Sequence, residues 1–153
     1  MRAPVLGLLT ALALGCRAEP EPPPSTAAAP APDFEAALQV TPRLDGDAVV
    51  VDVALEEGYH LYAPGEATGR PIAIVLNEGA WTAGEPDYPA GERKTTPLGP
   101  SVVIEGEARA RLPVRSTEDD PGPVQGGFLY QVCTDTACDR PRKLPFSLEP
   151  RDD

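Results

Sequence analysis

Apolar and polar residues alternate with a period of two through much of the chain after residue 34. In the clearest segment, residues 47–55, one face would carry Val49, Val51, Val53 and Leu55. Such alternation is typical of a half-buried β-strand. Further strands are predicted at residues 37–41, 59–62, 71–76, 101–105, 107–114, 128–133 and 143–148. No segment shows a helical period that continues beyond one or two turns.

Turn signals separate most of the predicted strands. They are Asp45-Gly46, Glu57-Gly58, Glu78-Gly79, Glu105-Gly106 and Gly126-Gly127. Short strands at this spacing, in a chain with 20 prolines, favour two packed antiparallel sheets. The sequence therefore predicts an all-β domain over residues 34–150, an antiparallel β-sandwich of immunoglobulin-like type.

One stretch inside this domain, Gly84 to Pro100, has no periodicity. Loops of this length within compact domains are usually functional or disordered, so it is a candidate lid. Tyr88 within it has few structural reasons to exist and could shield a nearby site. Trp81, just before it, is expected to belong to the core.

The amino-terminal residues predict a processing segment followed by a spacer. Arg2 precedes a short apolar core at 5–14, which is too short to span a bilayer. The pattern Ala13-Leu14-Gly15-Cys16 resembles a bacterial lipoprotein signal. We therefore predict a signal peptide at residues 1–15, and a lipidated Cys16 that begins an Ala/Pro/Glu-rich disordered linker at residues 16–33. An ordinary signal peptide, with Cys16 lost on cleavage, is the alternative.

The chain is acidic, with a formal net charge of −11. Such a surface repels phosphate backbones and anionic lipids, so nucleic acid and electrostatic adhesion to a membrane are both disfavoured. Membrane attachment would depend on a lipid at Cys16. If Cys16 is lipidated, two of the three cysteines are left to pair, as expected in an oxidising compartment.

The most informative stretch runs from Tyr130 to Cys138 and places Cys133 and Cys138 on either side of a short turn. Residues opposed at the neck of a hairpin have Cα atoms roughly 4.5 to 5.5 Å apart, which permits a disulfide. So small a ring would stabilise the fold by only about 2 kcal/mol. A bond that adds little to stability can open without unfolding the domain, as a redox carrier requires. A purely structural disulfide is the alternative, since secreted domains often use disulfides in this way.

Three short segments together resemble a known family: Gly58-Tyr59-His60-Leu61-Tyr62, Tyr88-Pro89, and Tyr130-Gln131-Val132-Cys133 with Cys138 and Pro141. They are similar to the amino-terminal periplasmic domain of the thiol:disulfide interchange protein DsbD, over residues 35–149. The resemblance implies an immunoglobulin-like sandwich that passes electrons from a membrane-embedded donor to thioredoxin-like periplasmic proteins. It implies no cofactor.

Carried over by position, Cys133 and Cys138 would be the redox pair, and Cys138 would form the mixed disulfide. Supporting residues would be Tyr59, His60, Tyr62 and Tyr130 around the sulfurs, with Asp87, Tyr88 and Pro89 in a cap loop. The chain departs from the family where Asp139-Arg140-Pro141 follows the second cysteine, and some members have tyrosine in place of His60. The family's membrane and carboxy-terminal domains are absent, so a stand-alone, lipid-anchored periplasmic version is expected, with a separate membrane protein as donor.

Other interpretations of these residues stay open at this point. The tyrosines suit half-buried strand positions in any sandwich. His60, the single histidine, could be a polar residue with no catalytic role, and a zinc site with the two cysteines lacks a fourth ligand. Neighbouring Asp135 and Asp139 would raise a thiol pKa that Arg140, Arg142 and Lys143 would lower. As a second hypothesis, the domain is a non-catalytic lipoprotein that binds a protein partner.

Overall fold

The computed structural model describes residues 30–65 and 68–150. The predicted signal peptide, Cys16 and most of the predicted linker lie outside these residues. Within the described ranges every regular element is a strand, and none of the described segments forms a helix long and apolar enough to cross a membrane. The predicted all-β class is confirmed.

Ten strands occur in the described residues. They are β1 (Leu38–Asp45), β2 (Ala48–Leu55), β3 (Leu61–Tyr62), β4 (Ala73–Leu76), β5 (Trp81–Ala83), β6 (Glu92–Thr96), β7 (Gly99–Ile104), β8 (Glu107–Ser116), β9 (Val124–Tyr130) and β10 (Arg142–Leu148).

The strands pair into three antiparallel sheets, with the orders β1-β2-β8-β5, β10-β9-β4 and β3-β7-β6. In the first sheet β2 is central, with Val51 opposite Pro42 on β1 and opposite Ala110 on β8. In the third, the short strand β3 pairs with β7 so that Tyr62 lies opposite Val103. Tyr62, one of the predicted site residues, lies on β3, so this small sheet helps to position the candidate site.

The core is made by apolar side chains from all three sheets, as the alternation predicted. The four predicted core positions of β2 are Val49, Val51, Val53 and Leu55, and all four are buried in one cluster. They pack in this cluster with Phe128 from β9 and Phe146 from β10. Val50 faces the other way and is also buried, because Arg43 and Arg111 lie directly opposite it on the two flanking strands and their aliphatic stems can cover it.

The turn predicted at Gly126-Gly127 is wrong. Both glycines lie inside β9, where Gly126 pairs with Leu76 on one side and Phe146 on the other. A Cβ on Gly126 would approach the Val75 carbonyl oxygen to 2.2 Å and the Phe146 ring to 2.8 Å. Glycine is needed here because a neighbouring backbone and a ring come close to the strand.

The loop predicted from Gly84 to Pro100 is wrong in its second half. Glu92–Thr96 forms β6, which pairs with β7 in a hairpin that places Thr96 opposite Gly99. The exposed, charged residues of β6 lack the apolar alternation by which strands are recognised in a sequence. The short strand β5, Trp81–Ala83, was also missed, because three residues are too few to show a period.

Candidate functional site

Cys133 and Cys138 are joined by a disulfide, with Cα atoms 4.0 Å apart. The predicted opposition of the two cysteines is confirmed, since they form an antiparallel bridge. The strand that leads to them differs from the prediction, because β9 ends at Tyr130. Cys133 instead pairs with His60, and each residue donates its backbone N–H to the other's carbonyl, at 2.9 and 3.0 Å.

The two sulfur-bearing residues differ in exposure. Cys133 is completely buried, at 0% exposure, whereas Cys138 is partly exposed. A protein thiolate approaching from solvent can therefore reach the Cys138 side of the bond more readily. Attack at Cys138 would release Cys133 as the leaving group.

The turn between the cysteines is held by its own hydrogen bonds. The Thr134 backbone N–H donates to the Ala137 carbonyl at 2.7 Å, and the Thr134 hydroxyl oxygen accepts from the Ala137 N–H at 3.1 Å. Just beyond the turn, the Asp139 N–H donates to the Val132 carbonyl at 2.8 Å. These contacts do not involve the sulfurs, so the turn can keep its shape when the disulfide opens.

Gln131 ties the cysteine segment to the rest of the domain. Its side-chain oxygen accepts from the Arg70 backbone N–H at 2.8 Å, and its side-chain nitrogen donates to the Asp139 carbonyl at 2.9 Å. The sequence motif contained Gln131, but no role was predicted for it. One amide thus connects the two flanks of the cysteine turn to the segment that precedes β4.

Gln131→Ala is expected to lower the free energy of unfolding by about 1 to 2 kcal/mol, because two backbone groups lose their partner. Gln131→Glu keeps an acceptor for Arg70 but turns a carboxylate oxygen toward the Asp139 carbonyl oxygen, so its loss should be at least as large as that of alanine. Chemical denaturation of the oxidised proteins measures both values. Equal stability of all three proteins would contradict the connecting role.

His60 and Tyr62 lie beside the disulfide, as the resemblance implied. His60 is 3% exposed and Tyr62 is completely buried, and their rings meet edge to face with centroids 5.5 Å apart. The Tyr62 hydroxyl lies 3.8 Å from the Cys138 Sγ. Tyr62, Val103 and Cys133 form a small buried cluster against which Cys138 packs.

The turn of the β6–β7 hairpin, which lies in the second half of the candidate lid from Gly84 to Pro100, also reaches the site, although no role was predicted for Thr96. The Tyr62 hydroxyl donates to the Thr96 Oγ1 at 3.4 Å. Thr96 in turn donates to the Gly99 carbonyl at 2.8 Å and accepts from the Leu98 N–H at 3.3 Å. The succession Thr-Pro-Leu-Gly is a turn signal, and it could have indicated this hairpin.

The segment around Tyr88 lies elsewhere than predicted. Asp87 is exposed and its backbone pairs with that of Arg111 on β8. The Tyr88 hydroxyl accepts from the Ile74 N–H on β4 at 2.9 Å, and Tyr88 packs against the main core. Within the described residues Tyr88 has no hydrogen bond to either cysteine. Tyr88 thus contacts β4, and it is the hairpin turn at Thr96 that reaches Tyr62 beside the disulfide.

The other aromatic residues predicted near the sulfurs pack in other directions. Tyr59 meets Phe34 edge to face and its hydroxyl accepts from the Asp33 N–H at 3.2 Å. Tyr130 stacks on Phe128. Trp81 is partly buried against the main core, as expected.

Two of the charged residues close to the cysteines, Asp139 and Arg142, pair with each other. Asp139 accepts a hydrogen bond from Arg142 at 2.6 Å. Partial desolvation opposes the shift, but the bonds from Arg142 and from the Arg140 backbone hold the pKa of Asp139 below its usual range. Burial lowers the pKa of His60, although Asp135 and Glu105 nearby act to raise it.

Metal binding finds no support in the described part of the chain. No group of three or more histidine, cysteine, aspartate or glutamate side chains there has a spacing that could hold a metal ion. The single unpartnered buried side-chain nitrogen or oxygen within those ranges is the His60 Nε2.

Comparison with known proteins identifies a family for this chain. The sequence profile described as thiol:disulfide interchange protein DsbD, N-terminal, matches residues 27–150. A search of curated protein sequences returns no significant match. The profile match includes both cysteines, His60 and Tyr62.

Several solved structures have a similar fold. The DsbD N-terminal domain of Neisseria meningitidis in the reduced form has a TM-score of 0.63 at 21% identity, covering 78% of this chain and 90% of that one. The complex between the DsbD and PilB N-terminal domains of Neisseria meningitidis gives 0.56 at 21% identity, with coverages of 85% and 88%. The N-terminal periplasmic domain of ScsB from Proteus mirabilis gives 0.52 at 16%, with coverages of 73% and 45%. These likenesses confirm the predicted immunoglobulin-like sandwich.

Proposed function

Because the chain belongs to the family of DsbD N-terminal domains, we propose that it carries out thiol:disulfide interchange outside the cytoplasm. In this proposal the Cys133–Cys138 pair accepts reducing equivalents from a membrane-embedded donor protein and passes them to a thioredoxin-like partner. The domain acts as an electron carrier that cycles between its disulfide and dithiol forms.

The observation that carries the proposal is the unequal exposure of the two bonded cysteines. Cys138 is partly exposed at the end of a turn, and Cys133 is completely buried behind it. Thiol–disulfide exchange proceeds by attack of a thiolate on one sulfur and departure of the other. Because only Cys138 can be reached from solvent, a partner thiolate would attack Cys138 and Cys133 would leave.

A protein partner is supported by one of the similar structures, which is a complex of DsbD and PilB N-terminal domains. A location outside the cytoplasm is supported by the ScsB domain, described as periplasmic, and by the disulfide itself, since such bonds persist in oxidising compartments. The lipid anchor at Cys16 is supported by the sequence pattern Ala13-Leu14-Gly15-Cys16.

The competing function is a binding domain in which the same disulfide is only structural. Redox titration of the folded protein separates the two. We expect a midpoint in the range of exchangeable dithiols, above about −300 mV, whereas structural bonds generally lie below that value. The protein is equilibrated in buffers of reduced and oxidised dithiothreitol, and its free thiols are alkylated and counted by intact mass.

A redox carrier must also stay folded when its disulfide is open. We therefore expect the reduced form to have a near-native circular dichroism spectrum. A midpoint well below the exchangeable range, or unfolding on reduction, would favour the structural disulfide and would exclude a carrier.

A further inference from the structure

The completely buried Cys133 raises a question about protons. When a partner thiolate attacks the Cys138 Sγ, a partner–Cys138 bond forms and the Cys133–Cys138 bond breaks. The electron pair of the broken bond stays on the Cys133 Sγ, as a thiolate in a site with 0% exposure. An uncompensated buried charge is strongly unfavourable, so a proton must reach Cys133.

His60 is the group placed to deliver it. His60 and Cys133 are directly opposed in an antiparallel bridge with two backbone hydrogen bonds. Directly opposed residues of such a pair place their side chains on the same face, with Cβ atoms roughly 4.5 to 5.5 Å apart. The imidazole therefore lies on the side of the ladder that carries the sulfur.

The ring nitrogen of His60 is also unpartnered where a partner would be expected. His60 is 3% exposed, and its Nε2 has no hydrogen-bond partner within the described ranges. Buried polar atoms nearly always have one. In the oxidised protein Cys133 has no S–H group to offer, whereas in the reduced protein it has.

We propose that His60 exchanges a proton with Cys133 each time the disulfide opens or closes, so that its Nε2 gains the Cys133 thiol as partner in the reduced protein. On opening, the Cys133 thiolate receives a proton through His60, which is restored from water. On closing, Cys133 gives its proton to His60, attacks the Cys138 sulfur of the mixed disulfide, and releases the partner as a thiolate. The inference rests on the proposed function.

The charged groups around His60 suit this exchange. Asp135 from the cysteine turn and Glu105 at the end of β7 favour an imidazolium, while Lys94 on β6 opposes it and is paired with Glu105. Burial outweighs the two carboxylates and lowers the pKa of His60 in the oxidised form. A neutral ring is therefore ready to accept the Cys133 proton, and the two carboxylates stabilise the cation that results.

Reaction of the reduced protein with excess dithiodipyridine tests the inference, because each sulfur releases one thiopyridone. The first release follows attack by Cys138 and increases with probe concentration. The second follows closure by Cys133 and does not depend on that concentration. His60→Gln and His60→Phe should leave the first rate unchanged and slow the second by roughly tenfold at neutral pH, a modest effect for a general base. Both substitutions should also shift the pH profile of the second release to higher pH.

Two variants and a control keep the result interpretable. Glutamine retains polarity and phenylalanine retains the ring contact with Tyr62, so a slowing shared by both comes from losing the titratable group. Tyr59→Phe, whose ring contacts Phe34, should alter neither release. Second-phase rates and pH profiles equal to wild type in both His60 variants would overturn the inference alone. Failure of the folded wild type to be reduced, or to release a second thiopyridone, would overturn the proposed function as well.

Discussion

Removing Cys133 is expected to leave a reduced protein whose Cys138 attacks disulfides and keeps one half as a stable mixed disulfide, whereas removing Cys138 is expected to make this capture much slower. Reduced Cys133→Ala should form a mixed disulfide with oxidised glutathione, and with an activated thioredoxin that retains only its nucleophilic cysteine. Reduced Cys138→Ala should form either adduct roughly 100-fold more slowly, because thiol reactivity follows access and Cys133 is completely buried. Intact mass spectrometry over time gives both rates.

Both variants lack the disulfide, so each is a control for the other. The small ring that the disulfide closes between Cys133 and Cys138 contributes only about 2 kcal/mol, and the hydrogen bonds of Thr134 and Asp139 within the turn do not depend on it. Thermal unfolding should therefore show two similarly folded proteins. Equal capture by Cys133 and Cys138 under these conditions would contradict the direction of attack that the unequal exposure implies.

The cysteine pair could be predicted because it is local. Cys133 and Cys138 are five residues apart, and a short turn brings such residues together whatever the rest of the fold. The central strand β2 could be predicted for a related reason, since its apolar alternation is long and regular. Local sequence therefore determines both the reactive bond and the centre of the first sheet.

The surroundings of the bond could not be predicted in the same way. Thr96 reaches Tyr62 across 34 positions of sequence, and this contact exists only because β3 and β6 lie on either side of β7. The order of strands in a sheet is not encoded in any one segment. The aperiodic stretch before Pro100 was expected to cover the sulfurs through Tyr88, but the Tyr88 hydroxyl is bound to β4 and the hairpin turn is the part that reaches the site.

Glycine was the least informative signal. In a sequence it most often marks a turn, and at Gly46 and Gly58 the backbone φ is +57° and +87°, which favours glycine. Gly126 lies within a strand, and glycine is required there because another chain segment comes too close to leave room for a Cβ. These two causes look the same in a sequence and are separated only by the fold.

Gly69→Ala is expected to have the largest effect on stability outside the disulfide, lowering the free energy of unfolding by about 3 kcal/mol. A Cβ at Gly69 would lie 2.0 Å from the Tyr62 Cε2 and 2.6 Å from its Cζ. The Tyr62 ring is completely buried, so it cannot swing into solvent to relieve the overlap. Chemical denaturation measures the loss.

The matched control is Gly127→Ala, in which the new Cβ meets the Cε of Lys143 at 2.3 Å. Lys143 is exposed and its flexible side chain can move away, so this variant should lose less than about 1 kcal/mol. Similar losses in the two variants would mean that the penalty comes from the glycine backbone and not from contact with Tyr62.

The substitution Gly69→Ala also connects packing to reactivity. The Tyr62 hydroxyl lies 3.8 Å from the Cys138 Sγ, so a ring displaced by the added methyl group should uncover that sulfur and, in the reduced Cys133→Ala protein, speed adduct formation with oxidised glutathione. In a Tyr62→Leu background there is no ring to displace, and Gly69→Ala should then lose most of its effect on both stability and rate. Such non-additivity is the signature of two residues in direct contact. If the effects of Gly69→Ala and Tyr62→Leu are additive, Gly69→Ala does not act on the redox site through the Tyr62 ring.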